Sequence, residues 1–446
     1  MCRLTPVIVA FGIALLLPAA AAGTDGGGTS VLHATRVAPV IGPDFRVSSR
    51  SAVFDERSPA LAWNTEDAEY LAVWEDGRNE ATRGTDIYGR RISATGTALS
   101  ADIRISGAGA TEYEWAPAAA FNGSSQEYLI VWDDRRNGTN GCIDIYGRRV
   151  SAEGAPMGPD FRINGPNHNC YEDSSSPGPA VAWSNTANEY LVVWQDQRNA
   201  STRGMDIYGQ RVAAAGSLAG QSFRISGIMA TSFEGLGAVV WNAVAQEYLV
   251  VFEDWRNVAT RGSDVYGSRV SVTGVPMGPD FRISGRGATS HEGAPAVASI
   301  ELTGDYLVVW ADFRNGATRG ADIYGRRVSA AGVLLGSDFR ISGRNAVSFE
   351  GEATVGWSET AGEYLVAWMD QRNYLSRGDD IFGRLVSVAG TPVGSDFRIS
   401  GRSAVSDERA PVAVWNGGAG EFVIVWQDGR NAPTRGLDLF GRRVAG

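Results

Sequence analysis

At 446 residues, with 43% hydrophobic side chains, 20% charged ones and 13 tryptophans, the chain can bury a large core, which excludes global disorder. Its 50 acids outnumber 40 basic residues, and a net charge of −10 without any basic tract excludes nucleic acid and anionic membrane surfaces as partners. Every basic residue is arginine, which fits either a biased codon composition or a use for its planar five-donor fork in tying neighbouring loops together.

The chain opens Met1-Cys2-Arg3, runs apolar from Val7 to Leu17, and passes Pro18 and four alanines before Gly23. A positive start, an apolar run too short to span a bilayer comfortably, and small residues near Ala22 predict a secretory signal peptide over residues 1–22; an uncleaved anchor is the alternative. No cysteine follows the apolar run, so lipid attachment is not indicated. Residues 23–36, beginning GTDGGGTS, read as a flexible lead. The expected location is therefore extracellular or periplasmic, with residues 37–446 forming one secreted domain.

The first extended segment is GPDFRVS (42–48). After it comes a unit of four short runs: PALAW (59–63), EYLAVWED (69–76), DIYGRRIS (86–93) and DIRIS (102–106). The first two are almost continuously apolar, as strands covered on both faces are, and the last alternates like a half-exposed strand. Turn residues punctuate each junction, and no stretch carries a sustained helical period. The second run recurs at Glu69, Glu127, Glu189, Glu247, Asp305, Glu363 and Glu421, spacings of 58, 62, 58, 58, 58 and 58 residues. So regular a period marks a structural repeat, here a four-stranded antiparallel meander.

The ends are out of phase. Residues 42–48 form a fourth strand with no unit before it, and LDLFGRRVAG (437–446) a third strand with no fourth after it. An open stack would expose both as unpaired edges. A ring removes them, so the expected fold is all-β: a seven-bladed β-propeller of four-stranded antiparallel blades, closed by strand 42–48 joining the last blade. Aromatic residues end the first strand (Trp63, Phe121, Trp183, Trp241, Trp357 and Trp415, with Ser299 the exception) and the second (Trp74, Trp132, Trp194, Phe252, Trp310, Trp368 and Trp426). Both sets are expected to fill the space between blades, a sugar-stacking role being the alternative.

Between the second and third runs lies a nine-residue polar loop, long for a hairpin. It repeats Asp-x-Arg-Asn and then Thr-Arg-Gly-x-Asp. The first element gives the pairs Asp76 and Arg78, Asp134 and Arg136, Asp196 and Arg198, Asp254 and Arg256, Asp312 and Arg314, Asp370 and Arg372, and Asp428 and Arg430. An acid also precedes each first strand: Glu56, Glu114, Glu234, Glu292, Glu350 and Glu408, with Glu172 or Asp173 in the third unit. The two loops concerned emerge on one face, so carboxylate–guanidinium pairs could lock them and fasten blade to blade. The other reading is a ring of weak equivalent sites gripping a repeated ligand, with Arg83, Arg203, Arg261, Arg319, Arg377 and Arg435 the most exposed contacts.

The second unit departs from the pattern. Asn140 replaces the loop arginine, and four extra residues enlarge the following loop, so that Cys142 and Cys170 lie on the same face. A disulfide between them is expected, contributing about 2–4 kcal/mol. The Arg-Gly-Asp tripeptide at 377–379 falls where the repeat already writes Arg-Gly-x-Asp and is read as coincidence.

The chain resembles the β-propeller superfamily and is similar to bacterial secreted proteins built from EYLVVWxDxR…DIYGxRV repeats, a group of largely undefined function. It lacks the WD40 signature in its usual places and the Asp-box of sialidases, so neither activity carries over. No P-loop, Gly-x-Ser-x-Gly elbow or EF-hand loop occurs, and His33, His168 and His291 share no ligand spacing. Hence no catalytic residue, metal or cofactor is expected. The reading is a secreted, monomeric, non-catalytic binding or scaffold module whose partner is a glycan or an extracellular protein. A multivalent carbohydrate-binding protein, and a polysaccharide hydrolase or lyase using carboxylates in the central cleft, are the alternatives.

Overall fold

A computed structural model describes residues 40–49, 54–107, 109, 111–137, 143–165, 178–227, 232–285, 287, 289–343, 347–401 and 405–446. The expected signal peptide and lead, the two cysteines with their disulfide, Asn140, and Glu172 and Asp173 lie outside the described residues.

Seven four-stranded antiparallel sheets form a seven-bladed β-propeller. In the first blade the inner strand is Glu56–Asn64, the second Glu69–Asp76, the third Asp86–Ser93 and the outer Ile103–Arg104. Inner strands of neighbouring blades touch one another around the ring and line its centre. Closure follows the split-blade expectation: Val40–Arg46 is the outer strand of the blade built from residues 408–445, with Val40 opposite Val444 and Arg46 opposite Phe440.

The hydrophobic pattern explains the order. Second strands are sealed by sheets on both sides, and Tyr70, Leu71, Ala72, Val73 and Trp74 are completely buried. Each core cluster straddles two blades, as where Leu307 and Val309 meet Tyr364 and Trp368. Burying one such side chain contributes about 1.5–3 kcal/mol, so the blade interfaces are the core of the molecule.

The polar loops differ from expectation in one respect: among the described residues, six contain a single helical turn, at Glu80–Arg83, Ala200–Arg203, Val258–Arg261, Gly316–Arg319, Tyr374–Arg377 and Ala432–Arg435. One turn is too short to write a period into the sequence. The glycine after each turn has positive φ, +77° at Gly84, and a Cβ there would lie 2.7 Å from the backbone nitrogen of Tyr113 in the next blade. The Arg-Gly step is thus fixed by a close approach between blades.

Candidate ligand-binding cavity

On the face carrying the polar loops, the repeated residues satisfy one another. The Asp76 carboxylate accepts hydrogen bonds from the Trp74 indole (2.9 Å), the Arg78 backbone N–H (2.9 Å) and the Arg78 guanidinium (2.8 and 2.6 Å). Arg78 Nη2 reaches on to Asp102 of the outer strand at 2.8 Å, and its guanidinium lies 4.0 Å over the Tyr88 ring. The same knot joins Arg136 to Asp134 and Asp160, Arg256 to Asp254 and Asp280, Arg314 to Asp312 and Asp338, Arg372 to Asp370 and Asp396, and Arg430 to Asp428 and Asp44. Arg198 pairs with Asp196 and meets Ser222 where the other blades have an outer-strand aspartate.

All these partners belong to one blade, so the knot laces second strand to outer strand across the third. Blade-to-blade fastening falls to groups the loop motif did not single out. Arg90 donates to the Val47 carbonyl of the preceding blade (3.1 Å), and Arg148, Arg326, Arg384 and Arg442 do likewise at 2.8–2.9 Å. Their signal was legible as the first arginine of each DIYGRR run.

Arg83, Arg203, Arg261, Arg319 and Arg377 each bring Nε within 3.7–3.9 Å of the aspartate that opens the third strand, and Arg435 is half-buried in the equivalent turn. Their side chains are 24–25% exposed, level with the 24% of Arg78, which corrects the expectation that they stand out furthest. The same aspartates already hold the loop asparagine and the outer-strand arginine: Asp86 takes Asn79 at 2.7 Å and Arg104 at 2.5 Å. In the Arg-Gly-Asp tripeptide Asp379 is fully buried and paired with Arg409 at 2.6 Å, so no adhesion ligand is displayed.

The acids that open the inner strands are fully buried. Glu56, Glu114, Glu234, Glu292, Glu350 and Glu408 are each pushed up to about 8, first by burial, with a serine of the preceding blade's outer segment (Ser48 beside Glu56) pulling the other way. The nearest arginine approaches to 3.3 Å at Glu114 but only 3.7–3.9 Å at Glu292, Glu350 and Glu408. Burial thus favours the protonated form of these side chains, and among them Glu114 accepts a hydrogen bond from the loop arginine Arg136.

The opposite face, where hairpins join inner to second strands, is different. The inner-strand aromatics are not sealed core: Trp63, Phe121, Trp183, Trp241, Trp357 and Trp415 are all part-exposed, whereas Trp74, Trp132, Trp310, Trp368 and Trp426 of the second strands are at 0%. Each inner aromatic leans one way on the cross-strand aromatic of its own blade, Trp63 on Tyr70 and Trp183 on Tyr190 with centroids 4.6 Å apart. Each also packs against an apolar cluster between two blades, which meets part of the expectation. Four of them, Trp63, Phe121, Trp183 and Trp241, line one cavity of about 790 Å³. Thr65, Ser124, Asn185 and Glu301 supply polar atoms at its rim, and the Trp241 indole N–H is held by Asn185 Oδ1 at 3.1 Å.

The cavity breaks the sevenfold repeat. In the fifth blade Ser299 and Ile300 replace the usual Trp-Asn pair, Ile300 turns into the core, and Glu301 comes to the cavity edge. Asn242 of the fourth blade holds this hairpin through the Gly304 carbonyl (2.7 Å) and the Tyr306 hydroxyl (2.6 Å). Glu359 of the sixth blade accepts from the Glu301 backbone N–H at 3.3 Å. The Glu301 carboxyl is raised by its partial burial and then by Glu359. Sequence reading had the clue in the Ser299 exception but attached no function to it.

A cleft of similar size, about 830 Å³, opens between the fourth and fifth blades on the loop face, lined by Arg261, Arg282 and Asp338 among others. A smaller equivalent lies one interface on, at Arg340 and Asp396. Their polar groups are those already committed to the repeated knots.

No protein-family model matches the chain, and no curated protein resembles it in sequence. Solved structures match in fold. The polysaccharide lyase Uly1 superposes with a TM-score of 0.52 at 11% identity, over 94% of this chain and 95% of its own. A puromycin hydrolase superposes with a TM-score of 0.51 at 14% identity, over 90% of this chain and 55% of its own. At such identities the likeness concerns the propeller alone. No helix among the described residues is long and apolar enough to cross a membrane.

Proposed function

We propose that the protein is an exported saccharide-binding propeller whose ligand enters the central cavity on the hairpin face. The observation that carries this reading is the set of four part-exposed aromatic rings, each braced by a second ring, around one 790 Å³ space. Flat, pre-positioned aromatic faces suit the apolar C–H faces of sugar rings, while a few rim amides and hydroxyls suit their hydroxyls. A ligand held by the loop arginines would instead compete with Asp86 and its equivalents for each guanidinium, so the cavity is the stronger site.

Calorimetric titration of the mature protein with an oligosaccharide panel tests the reading. One site per chain is expected, with Trp183→Ala and Trp241→Ala each weakening binding by roughly 2- to 12-fold, the equivalent of about 0.5–1.5 kcal/mol. Several equivalent sites per chain, one of them lost in Arg319→Ala, would move the ligand to the loop face and defeat the proposal.

Cleavage of the bound chain is a second reading. It is favoured by Glu301, a cavity carboxyl whose raised pKa suits a proton donor. The polysaccharide lyase shares the fold only. New chain ends appearing from a polymer, and disappearing in Glu301→Gln, would assign an enzyme; binding without them leaves a binding protein.

A further inference from the structure

We propose that the junction between the second and third blades is a hinge built into the ring, where the two blades part on the loop face while their contact on the hairpin face holds. This is so whatever the cavity binds.

Three polar fasteners recur between blades. The first is a side chain of the third strand that donates to a backbone carbonyl of the preceding blade: Arg90, Arg148, Arg326, Arg384 and Arg442 do so, and Ser268 reaches the Ile225 carbonyl at 3.1 Å. The second is an outer-strand aspartate packed so closely on a glycine of the preceding blade that a Cβ there would strike its carboxylate, as Asp160 meets Gly107, Asp280 Gly227, Asp338 Gly285, Asp396 Gly343 and Asp44 Gly401. The Gly107 N–H donates to Asp160 at 3.2 Å and the Gly401 N–H to Asp44 at 3.1 Å. The third is a serine at the end of the outer segment, set beside the buried glutamate of the next blade, as Ser284 is at Glu292.

All three are replaced at one junction, each by a residue that bonds within its own blade. Gln210 stands for the arginine and donates to the Arg211, Ala219 and Gly220 carbonyls at 2.9–3.3 Å. Ser222 stands for the aspartate and meets Arg198 at 3.4 Å, and among the described residues nothing lies within 4 Å of the Cβ position of Gly165. Asn164 stands for the serine; its amide donates to Asp144 at 3.3 Å and its carbonyl oxygen accepts from Arg162 at 3.1 Å. Among the described residues, the other six junctions each keep at least two of the three fasteners. The second and third blades still share an apolar contact, Val131, Ile145 and Ile163 against Tyr190, Val192 and Trp194. On the hairpin face Arg149 also donates to the Ala215 carbonyl at 3.2 Å, as Arg211 does to Thr273 one junction on at 3.0 Å. Polar lacing is thus missing on one face and kept on the other, which makes the kept side the pivot of the lowest-cost opening. Phe121 and Trp183 belong to these two blades and both line the central cavity, so parting the junction moves one cavity aromatic relative to the next.

The test is site-resolved hydrogen exchange of the full mature chain. The N–H groups of Ile163, Ile283, Ile341 and Ile399 are equally buried and make the same 2.7 Å bond to the third strand of their own blade, so a difference among them reports the junction and not the bond. Ile163 is expected to exchange at least about 10-fold faster than the other three. Gln210→Arg/Ser222→Asp, which restores two fasteners, should slow Ile163 toward the others and leave them unchanged. Arg326→Gln, which removes the bond to the Ile283 carbonyl, should speed Ile283 alone. Equal exchange at the four amides overturns the hinge, as does a fast Ile163 that stays fast in a double variant with the parent's circular dichroism spectrum. If the double variant does not fold, Arg326→Gln decides: faster exchange at Ile283 upholds the hinge, and unchanged exchange there overturns it.

Discussion

Arg314 shows how far one residue is bound into its blade. Its guanidinium makes two bonds to Asp312 (2.9 and 2.6 Å), a third to Asp338 (2.5 Å), and lies 3.9 Å over Tyr324. Removing it leaves the fully buried Asp312 carboxylate with only a backbone N–H and the Trp310 indole as donors. Arg314→Ala is therefore expected to destabilise by about 2–4 kcal/mol, read as a lower midpoint in urea, because the stranded charge costs more than the pair contributed. Arg314→Lys should recover only part of this, since an ammonium can neither bridge two carboxylates bidentately nor stack on a ring. Oligosaccharide binding should be unaltered in both variants, and an unchanged midpoint in Arg314→Ala would remove the structural role assigned to the knot. At this scale the sequence was half legible. Spacing by two residues joined Asp312 to Arg314, but nothing local announced that Asp338 was the third partner. Trp63 and Trp74 looked alike in the sequence, each ending an apolar run; what separates them is that one strand faces the central opening and the other is roofed by a neighbouring blade.

Two elements set how blades meet. The first is the helical turn with its glycine: Gly320 has φ +77°, and a Cβ there would lie 2.6 Å from the carbonyl carbon of Ser348 in the next blade. Gly320→Ala combines a strained backbone with a clash against backbone, so a loss of more than about 1 kcal/mol is expected, measured by urea unfolding against Gly336→Ala. Gly336 also has positive φ, +74°, but nothing lies within 4 Å of its Cβ position, so it isolates the strain from the clash. The second element is the start of each inner strand, with its buried glutamate. Unfolding releases these side chains to water, where they titrate near 4.5, whereas burial first of all holds them at about 8 in the fold. Between those values the folded state binds more protons than the unfolded one. The stabilisation is complete below about pH 4.5 and is lost as pH rises through about 8, at up to about 1.4 kcal/mol per pH unit for each glutamate. The melting temperature should fall from pH 5.5 to pH 8.5, and Glu292→Gln, which keeps the shape and cannot ionise, should flatten that slope. A steeper fall in the variant would refute the assignment.

For the whole molecule, the 58-residue period and the phase shift at the ends made blade number and closure legible, because every unit writes the same strand order and only a ring pairs both orphans. The functional cavity was not legible in the same way: repetition advertises scaffold, while the site is a departure from it, spread over Trp63, Phe121, Trp183, Trp241 and Glu301 on five different blades. Closure also ties the last blade to residues far away in sequence. Val47 N–H donates to the Leu439 carbonyl at 2.8 Å, Arg430 pairs with Asp44 at 3.0 Å, and the Gly401 N–H reaches the same Asp44 at 3.1 Å. Deleting residues 1–48 would strip the outer strand from that blade, expose the edge of Asp438–Ala445 and leave Arg430 without its second carboxylate. Such a chain should aggregate or unfold at a lower denaturant concentration than any single substitution above. A circular permutant separates closure from covalent order. In the second blade five residues, 151–155, join Val150 to its partner Pro156, and Val444 faces Val40 in the same register. With residues 1–39 removed, Ala445 and Gly446 plus three added residues would thus rebuild the missing hairpin, with new termini opened in the 151–155 turn. If the Velcro-like pairing of the two ends is what closes the ring, the permutant should keep the circular dichroism spectrum, the melting temperature to within a few degrees, and the oligosaccharide affinity of the parent. A permutant that folds but loses affinity would mean that the cavity depends on the natural order of the blades, and one that fails to fold would mean that closure requires more than the strand register seen here.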